Sequence, residues 1–278
     1  MTTADRLVRE IRDYCAAHAN LQGATRYERY FKEGYDAWGL LDKGNPFFTE
    51  RRDEWLRRYA DIGIEGFIEA GEQLFASGKY EEGAIAIQFL EKRRAEMDCA
   101  AALALARWFQ GGIRNWAHCD VLCGELLAPL LKDGRLPLDA LSSWRTSPLR
   151  FQRRAVPVAM LGLLPPLVKG RAISAGERRR IKPLLAFVRP MMLDTERVVH
   201  QGLGWFLREA WKRAPDVVEP FLLEYKDTAA RLIFQYATEK MTPAGKARFR
   251  AAKRAVTDGP ARATKTRAAK AGRRRAGD

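Results

Sequence analysis

Residues 194–220 read DTERVVHQGLGWFLREAWKRAPDVVEP and carry the pattern that the rest of the chain repeats. A short polar residue, Asp194 or Thr195, precedes the pattern, as expected where a side chain caps the free N–H groups of a helix. Apolar residues then recur at helical spacing and form one stripe, which comprises Val199, Leu203, Phe206, Leu207 and Ala210. The stretch therefore predicts an amphipathic helix.

Trp205 does not belong to that apolar stripe. At about 100° per residue it points roughly 140° away from the centre of the stripe, on a face that it shares with Gln201, Arg208 and Lys212. Two interpretations are open. The indole packs against a neighbouring helix in an all-helical stack, or it forms an aromatic platform on a positively charged surface that faces a partner.

Helix-length segments separated by short turns continue along the chain. The turns are predicted at 132–137, 142–148, 170–176 and 214–216. No stretch shows the period-2 alternation of a strand. Consecutive, short-linked helices predict an all-α fold over residues 1–250, a right-handed α-solenoid of helical hairpins with a concave surface lined by every second helix. Low hydrophobicity and clustered Lys, Arg, Ala and Gly predict a disordered basic tail at 251–278.

The charge balance indicates a polyanionic partner. The 278 residues include 49 Lys and Arg against 34 Asp and Glu, for a net charge of +15. From Lys246 onward there are 12 basic and 2 acidic residues, so much of this excess lies near the C-terminus. Nucleic acid is the expected partner, ahead of a membrane surface. No signal peptide opens the chain, and no apolar run approaches the ~20 residues of a membrane span.

The cysteines are Cys15, Cys99, Cys119 and Cys123. Cys119 and Cys123 lie one helical turn apart on an apolar face, and none of the three histidines stands at the usual ligand spacing. Buried free thiols are therefore predicted rather than a zinc site. No disulfide framework is suggested, which fits a cytoplasmic protein.

The first candidate site is the sequence NWAHCD at 115–120. A helix that begins at Asn115 has an apolar stripe made of Cys119, Cys123, Leu126, Leu127 and Leu130. Trp116 and Asp120 then stand one turn apart, with Asp120 at the edge of the stripe. A carboxylate in this position, beside an indole, can interact electrostatically with a ligand. The alternative is an acid in the first turn that favours the helix N-terminus.

The second candidate site is the sequence SPLRFQRR at 147–154, where a Ser-Pro pair favours the start of a helix. Arg150, Arg153 and Arg154 suit phosphate contacts, and the alternative is that they are solvated. Arg154 lies nearer the apolar stripe than Arg153 does, so it is the better candidate for a guanidinium held in one direction. Arg52, in the first turn of an earlier helix, is a further candidate with the same alternative.

Three motifs resemble the AlkD-type DNA alkylation repair family, glycosylases built of HEAT-like repeats. They are NWAHCD at 115–120, RRAV at 153–156 and LGWFLREAWKRAPDVV at 203–218. In that family a Trp, an Asp four residues later, an Arg in the next repeat and a later Trp line the DNA cleft. The matching residues here are Trp116, Asp120, Arg154 and Trp205.

The resemblance implies a monofunctional DNA glycosylase that hydrolyses the N-glycosidic bond of positively charged alkylpurines, such as 3-methyladenine and 7-methylguanine, in duplex DNA. It implies that the base stays unflipped and that no metal or cofactor is needed. Asp120, Trp116 and Trp205 are then the expected catalytic residues. The expected DNA contacts are Arg154, Arg153, Arg150, Arg208, Lys212 and Arg52. We expect a monomer in the cytoplasm, associated with the nucleoid.

Two other functions fit the same fold. One is a non-catalytic binder of damaged or branched DNA, and the other is a protein-interaction scaffold, which is a common use of helical solenoids. All four cleft residues of the family are present in the chain, which favours the glycosylase over both alternatives.

Overall fold

The computed structural model of the chain describes three stretches, 2–27, 36–41 and 44–250. Within them every regular element is helical, apart from one isolated bridge between Asp36 and Lys79. The predicted disordered tail at 251–278 and the aromatic-rich residues 28–35 lie outside the described residues. The all-α prediction is confirmed.

The α-helices are α1 Thr3–Ala17, α2 Leu21–Tyr27, α3 Glu50–Arg58, α4 Gly63–Ala76, α5 Tyr80–Lys92, α6 Cys99–Ala104, α7 Ala106–Gly111, α8 Trp116–Leu122, α9 Ala128–Lys132, α10 Arg150–Ala159, α11 Ala175–Arg179, α12 Ile181–Val188, α13 Arg197–Trp211, α14 Pro215–Tyr225, α15 Arg231–Ala237 and α16 Pro243–Ala247. Short 3₁₀ segments lie at Pro46–Phe48, Ala60–Ile62, Arg94–Glu96, Leu138–Thr146, Met160–Leu163 and Arg189–Leu193. A π-helical segment, Cys123–Leu127, joins α8 to α9.

These helices stack in two layers. The first layer consists of α5, α8, α10, α13 and α15, each of which packs against the next. The second layer consists of α4, α7, the 138–146 segment, α12 and α14. Because α4 packs behind α5, the 138–146 segment behind α10 and α14 behind α13, the chain alternates between the layers. This is the solenoid-like stacking that short-linked helices predict.

Both predicted apolar stripes are fully buried. They comprise Val199, Leu203, Phe206, Leu207 and Ala210 on α13, and Cys119, Cys123, Leu126, Leu127 and Leu130 on the helical run that begins with α8. Burying each large apolar side chain contributes about 1.5–3 kcal/mol. Because these two stripes are buried, a ligand can reach only the opposite faces of the two helices.

The start of α13 differs from the prediction. No side chain caps this helix, which begins at Arg197 after Glu196. Asp194 instead accepts a hydrogen bond from the Glu196 N–H at 2.8 Å and forms an ion pair with Arg153. The prediction of a cap at Asp194 or Thr195 was therefore wrong, because a partner from another helix holds the carboxylate in the preceding turn.

The predicted turn at 142–148 is also shorter than expected. Leu138–Thr146 forms a 3₁₀ segment, and α10 begins only at Arg150. The Ser147 hydroxyl accepts a hydrogen bond from the Leu149 N–H at 3.1 Å and donates one to Gln152 Oε1 at 2.6 Å. Ser147 therefore stabilises the bend that sets the direction of α10.

In the part of the chain that the structure describes, each helix is too short or too polar to cross a bilayer.

Candidate active site

The N-terminus of α8 is fixed by two polar side chains. Asn115 Oδ1 accepts the His118 N–H at 2.8 Å, which caps the helix. His118 is buried, stacks on the Tyr80 ring and places Nε2 3.0 Å from the Tyr80 carbonyl oxygen. Burial lowers the pKa of His118 to about 3, against the opposing effect of that hydrogen bond. The ring therefore stays neutral, with its proton on Nε2, and anchors α8 to α5.

α8 presents Trp116 and Asp120 one turn apart, as predicted from their spacing. Trp116 is 50% exposed, whereas the other six tryptophans are buried or partly buried. The side chain of Asp120 is 17% exposed, so its carboxylate lies at the edge of the core with one side open to solvent.

Arg154 holds the Asp120 carboxylate from α10. Its Nε lies 2.9 Å from Oδ1 and its Nη2 lies 2.8 Å from Oδ2, and the arginine side chain is only 7% exposed. Nη1 donates to the Val198 carbonyl oxygen on α13 at 2.8 Å. Burial opposes charge on Arg154, but the hydrogen bond and the attraction of Asp120 outweigh it and raise the pKa of the guanidinium. One arginine thus links α8, α10 and α13.

Gly202 allows α13 to approach Arg154. A Cβ at this position would lie 3.1 Å from Arg154 Cγ and 3.3 Å from Val158 Cγ2, which is tighter than ordinary contact. Gly202 was not among the residues predicted from the sequence. Its signal is a glycine inside a helical pattern, here repeated at Gly204, because such a glycine often has a packing reason.

Trp205 is partly buried against the core. It follows Gly202 by three residues, so it lies one turn farther along the side of α13 that faces α10. Gln201, on the preceding turn, donates from Nε2 to the Tyr236 hydroxyl on α15 at 3.0 Å. Trp205 therefore combines parts of both sequence interpretations, since one portion of the indole packs and another portion stays accessible.

The other two predicted arginines of α10 have different surroundings. Arg153 Nε lies 2.6 Å from Asp194 Oδ2 and its Nη1 donates to the Ser147 carbonyl oxygen at 2.6 Å. Arg150 is exposed, with Nη1 3.9 Å from a Glu196 carboxylate oxygen. A phosphate contact by Arg153 requires this buried pair to open, whereas Arg150 already faces solvent.

The remaining predicted cations lie farther along the first layer or away from it. Arg208 forms an ion pair with Glu239, and Lys212 Nζ lies 2.6 Å from Glu209 Oε2. Arg52 is on α3, which packs against α5, and its Nη1 donates to Gln88 Oε1 at 3.0 Å. The structure thus brings Trp116, Asp120 and Arg154 together and places Trp205 on the adjoining helix.

Cys119 and Cys123 are buried free thiols, as predicted. Their Sγ atoms donate to the carbonyl oxygens of Phe151 and Ala155, each at 3.4 Å, and so tie α8 and the π-helical segment after it to α10. Burial raises the pKa of Cys123, which keeps it a thiol. Over the described residues, no cluster of His, Cys, Asp and Glu is arranged to hold a metal ion.

The sequence profile of the DNA alkylation repair enzymes matches residues 11–241, a range that contains the whole cluster. The chain belongs to this DNA alkylation repair family. A similar solved structure, a predicted DNA alkylation repair enzyme from Enterococcus faecalis, is 14% identical, with a TM-score of 0.60 over 81% of this chain and 98% of the other. At that identity the likeness concerns the fold. No curated protein resembles the chain closely enough to match.

For a DNA alkylation repair protein, the cluster offers two groups of clear chemical use. Asp120 provides a negatively charged carboxylate whose orientation is fixed by two hydrogen bonds from Arg154. Trp116 provides an accessible aromatic face one turn away. A fixed carboxylate beside an exposed indole suits the stabilisation of positive charge on a ligand.

Proposed function

We propose that the chain is a DNA glycosylase that hydrolyses the N-glycosidic bond of positively charged alkylpurines in duplex DNA. The observation that carries this proposal is the Asp120 carboxylate, held by Arg154 at the edge of the core beside the exposed Trp116. Membership of the DNA alkylation repair family supports DNA as the substrate. We further propose that the protein acts as a monomer in the cytoplasm, on nucleoid DNA.

The alkylated base is already a good leaving group, so the enzyme needs to activate it little. Alkylation at N3 of adenine or N7 of guanine leaves a cationic purine, and the electron pair of the breaking C1′–N bond neutralises it as it departs. Positive charge then builds on the deoxyribose, as in other oxocarbenium-like reactions. Water adds to C1′ and releases a proton. The group that the enzyme must supply is therefore a negative charge near the sugar.

Asp120 meets this need because of its geometry. Arg154 takes up one side of the carboxylate, and a carboxylate offers about four lone-pair sites, so acceptor capacity remains on the other side. Asp120 is also the more exposed partner, at 17% against 7%. The negative end of the ion pair is therefore the end nearer the solvent, where it can stabilise the sugar and accept a hydrogen bond from the attacking water.

The two indoles and the arginines complete the proposed site. Trp116 and Trp205 hold the sugar by C–H/π contact and favour its cationic form by cation–π attraction. The first role that we assign to Arg154 is to position Asp120. Arg150, which is exposed at the start of α10, is then the leading phosphate contact of that helix. In this scheme the protein grips the backbone and leaves the damaged base unflipped.

The experiment that tests the function is single-turnover release of 7-methylguanine from alkylated duplex DNA by the full chain. The same duplex without alkylation is the control. We expect release of the free base only from the alkylated duplex. Tight binding of the alkylated duplex without any release would instead support a non-catalytic binder, and the absence of both would support a protein scaffold.

A further inference from the structure

A groove runs between α12 and α14 in the second layer, away from the proposed DNA site. Its volume is about 640 Å³. Exposed residues spaced about one turn apart form its two walls: Lys182 and Ala186 on α12 with Arg189 directly after that helix, and Asp216, Pro220 and Glu224 on α14. None of the residues that line the groove belongs to a first-layer helix.

The floor of the groove is apolar. Leu185 and Phe221 lie at its base, and Val217 extends it along α14. Ala186 stands in the middle of the α12 wall, and its small side chain leaves the floor open. An apolar floor of this size fits one or two apolar side chains of a ligand, because pockets of this kind are filled mainly by hydrophobic contact.

The charges around the groove are unevenly matched. On the α14 side, Asp216 Oδ1 lies 3.4 Å from Arg178 Nη1, and Glu224 Oε2 lies 2.5 Å from Arg189 Nη1. Both carboxylates are therefore paired with an arginine. Arg179 and Lys182 also line the groove, and neither has an ion-pair partner among the residues that the structure describes. The α11–α12 side therefore carries uncompensated positive charge.

We propose that this groove binds a peptide segment of another protein in which acidic residues alternate with large apolar ones. The apolar side chains fill the floor, and the carboxylates meet Arg179 and Lys182. This occupant is favoured over duplex DNA for two reasons. Neighbouring helices pack about 8–10 Å apart, a gap too narrow for a duplex. The phosphates of a duplex also gain nothing from an apolar floor.

The test uses the full chain and a displayed pool of short peptides in which Asp or Glu alternates with Phe, Leu, Ile or Met. A second pool has Ser and Gly in place of the apolar residues. The basic residues after 250 are common to every variant, so their unspecific attraction for acidic peptides cancels in comparisons between variants. Fluorescence anisotropy of the selected peptides then gives affinities for the chain and its variants.

Two matched pairs of variants locate the binding. Ala186→Phe fills the groove, and Ala16→Phe adds the same bulk at an exposed position of α1. Arg179→Glu with Lys182→Glu removes the unmatched cations. Its control, Arg9→Glu with Arg57→Glu, makes the same change of net charge at exposed positions of α1 and α3.

We expect enrichment from the apolar pool only, and an affinity at least about tenfold weaker for each groove variant but unchanged for its control. A short duplex should not displace the peptide. Three results overturn the proposal: no enrichment of the apolar pool over the Ser/Gly pool, equal affinities for groove and control variants, or displacement of the peptide by the duplex. The last result would make the groove a nucleic-acid surface.

Discussion

Trp116 is the most exposed tryptophan of the candidate site, and this exposure separates a functional role from a packing role. Half of its surface is accessible, so Trp116→Ala removes much less buried area than the truncation of a core tryptophan does. We expect a loss of at most about 2 kcal/mol in the free energy of unfolding, since roughly half of the indole area is buried. Single-turnover excision of 7-methylguanine should fall, because the sugar loses one aromatic face. Urea unfolding and the excision rate, measured on the same preparation, give both quantities.

Trp108 is the matched control for that substitution. It is fully buried and donates from Nε1 to the Ile68 carbonyl oxygen at 2.9 Å. Trp108→Ala should therefore lose about 3–5 kcal/mol of stability. A loss of that size for Trp116→Ala, with excision per folded molecule unchanged, would assign Trp116 to packing.

At single residues, the sequence predicted the face of a helix on which a side chain lies but not its partner on another helix. The spacing of Trp116 and Asp120 predicted one face of α8, because helical geometry alone sets that relation. The pairing of Asp120 with Arg154 could not be predicted, since it depends on which helices become neighbours. Arg153 and Arg154 differ by about 100° in direction. One of them consequently meets Asp194 and the other meets Asp120.

At the scale of elements, His118 makes the anchoring of α8 sensitive to acid. Its pKa is lowered to about 3 in the folded chain from an ordinary value of 6.5, so the unfolded chain takes up the extra proton between these values. Its contribution to stability is therefore complete above pH 6.5 and decreases as the pH falls. The expected loss is about 1.4 kcal/mol per pH unit.

The pH dependence is checked by urea unfolding between pH 6.5 and about pH 5, above the range in which most carboxylates titrate. His118→Gln should be less stable than the parent at neutral pH, but its stability should change less over this interval. Parallel curves for the two proteins would contradict the assignment of His118 as a buried neutral group.

Gly202 sets the contact between α10 and α13. Gly202→Ala should destabilise the fold and slow excision, because the added Cβ meets the Cγ of Arg154, whose guanidinium is held at three points. Gly124→Ala is the control, since a Cβ there meets nothing within 4 Å. It should leave stability unchanged or raise it by up to about 1 kcal/mol. Thermal unfolding of both variants is the measurement, and a gain in stability for Gly202→Ala would contradict the close approach.

Helix periodicity predicted the elements better than it predicted their ends. The stripes of α8 and α13 follow from the spacing of apolar residues, which is a local property. The start of α13 was misplaced because Asp194 binds Arg153 from another helix instead of capping its own. Ends are set by such contacts between helices, which sequence spacing does not record.

At the scale of the whole molecule, the basic residues after 250 should supply unspecific DNA affinity. A truncation after Arg250 tests this role. Phe249 is buried, and its carbonyl oxygen accepts a hydrogen bond from Arg231 at 2.6 Å, so a truncated chain must keep Phe249 to preserve the fold. Residues 251–278 contain nine Lys and Arg residues against two acidic ones.

Removal of 251–278 should weaken duplex binding, most clearly at low salt, and reduce the slope of log K against log salt. Single-turnover excision at saturating protein should barely change, because the candidate site lies in the first layer. Anisotropy titrations at several salt concentrations and the excision rate test this prediction. A collapse of the rate with an intact fold would place part of the 251–278 stretch in the active site.

The central claim is that the charge of Asp120 stabilises the sugar as the base departs. Asp120→Asn keeps the size of the side chain and removes the charge, and binding to an uncleavable duplex is its control. The decisive measurement is single-turnover release of 7-methylguanine from alkylated duplex by this variant. The account predicts a fall on the order of 10²–10³ in rate with duplex binding retained. Excision at the parent rate would contradict it.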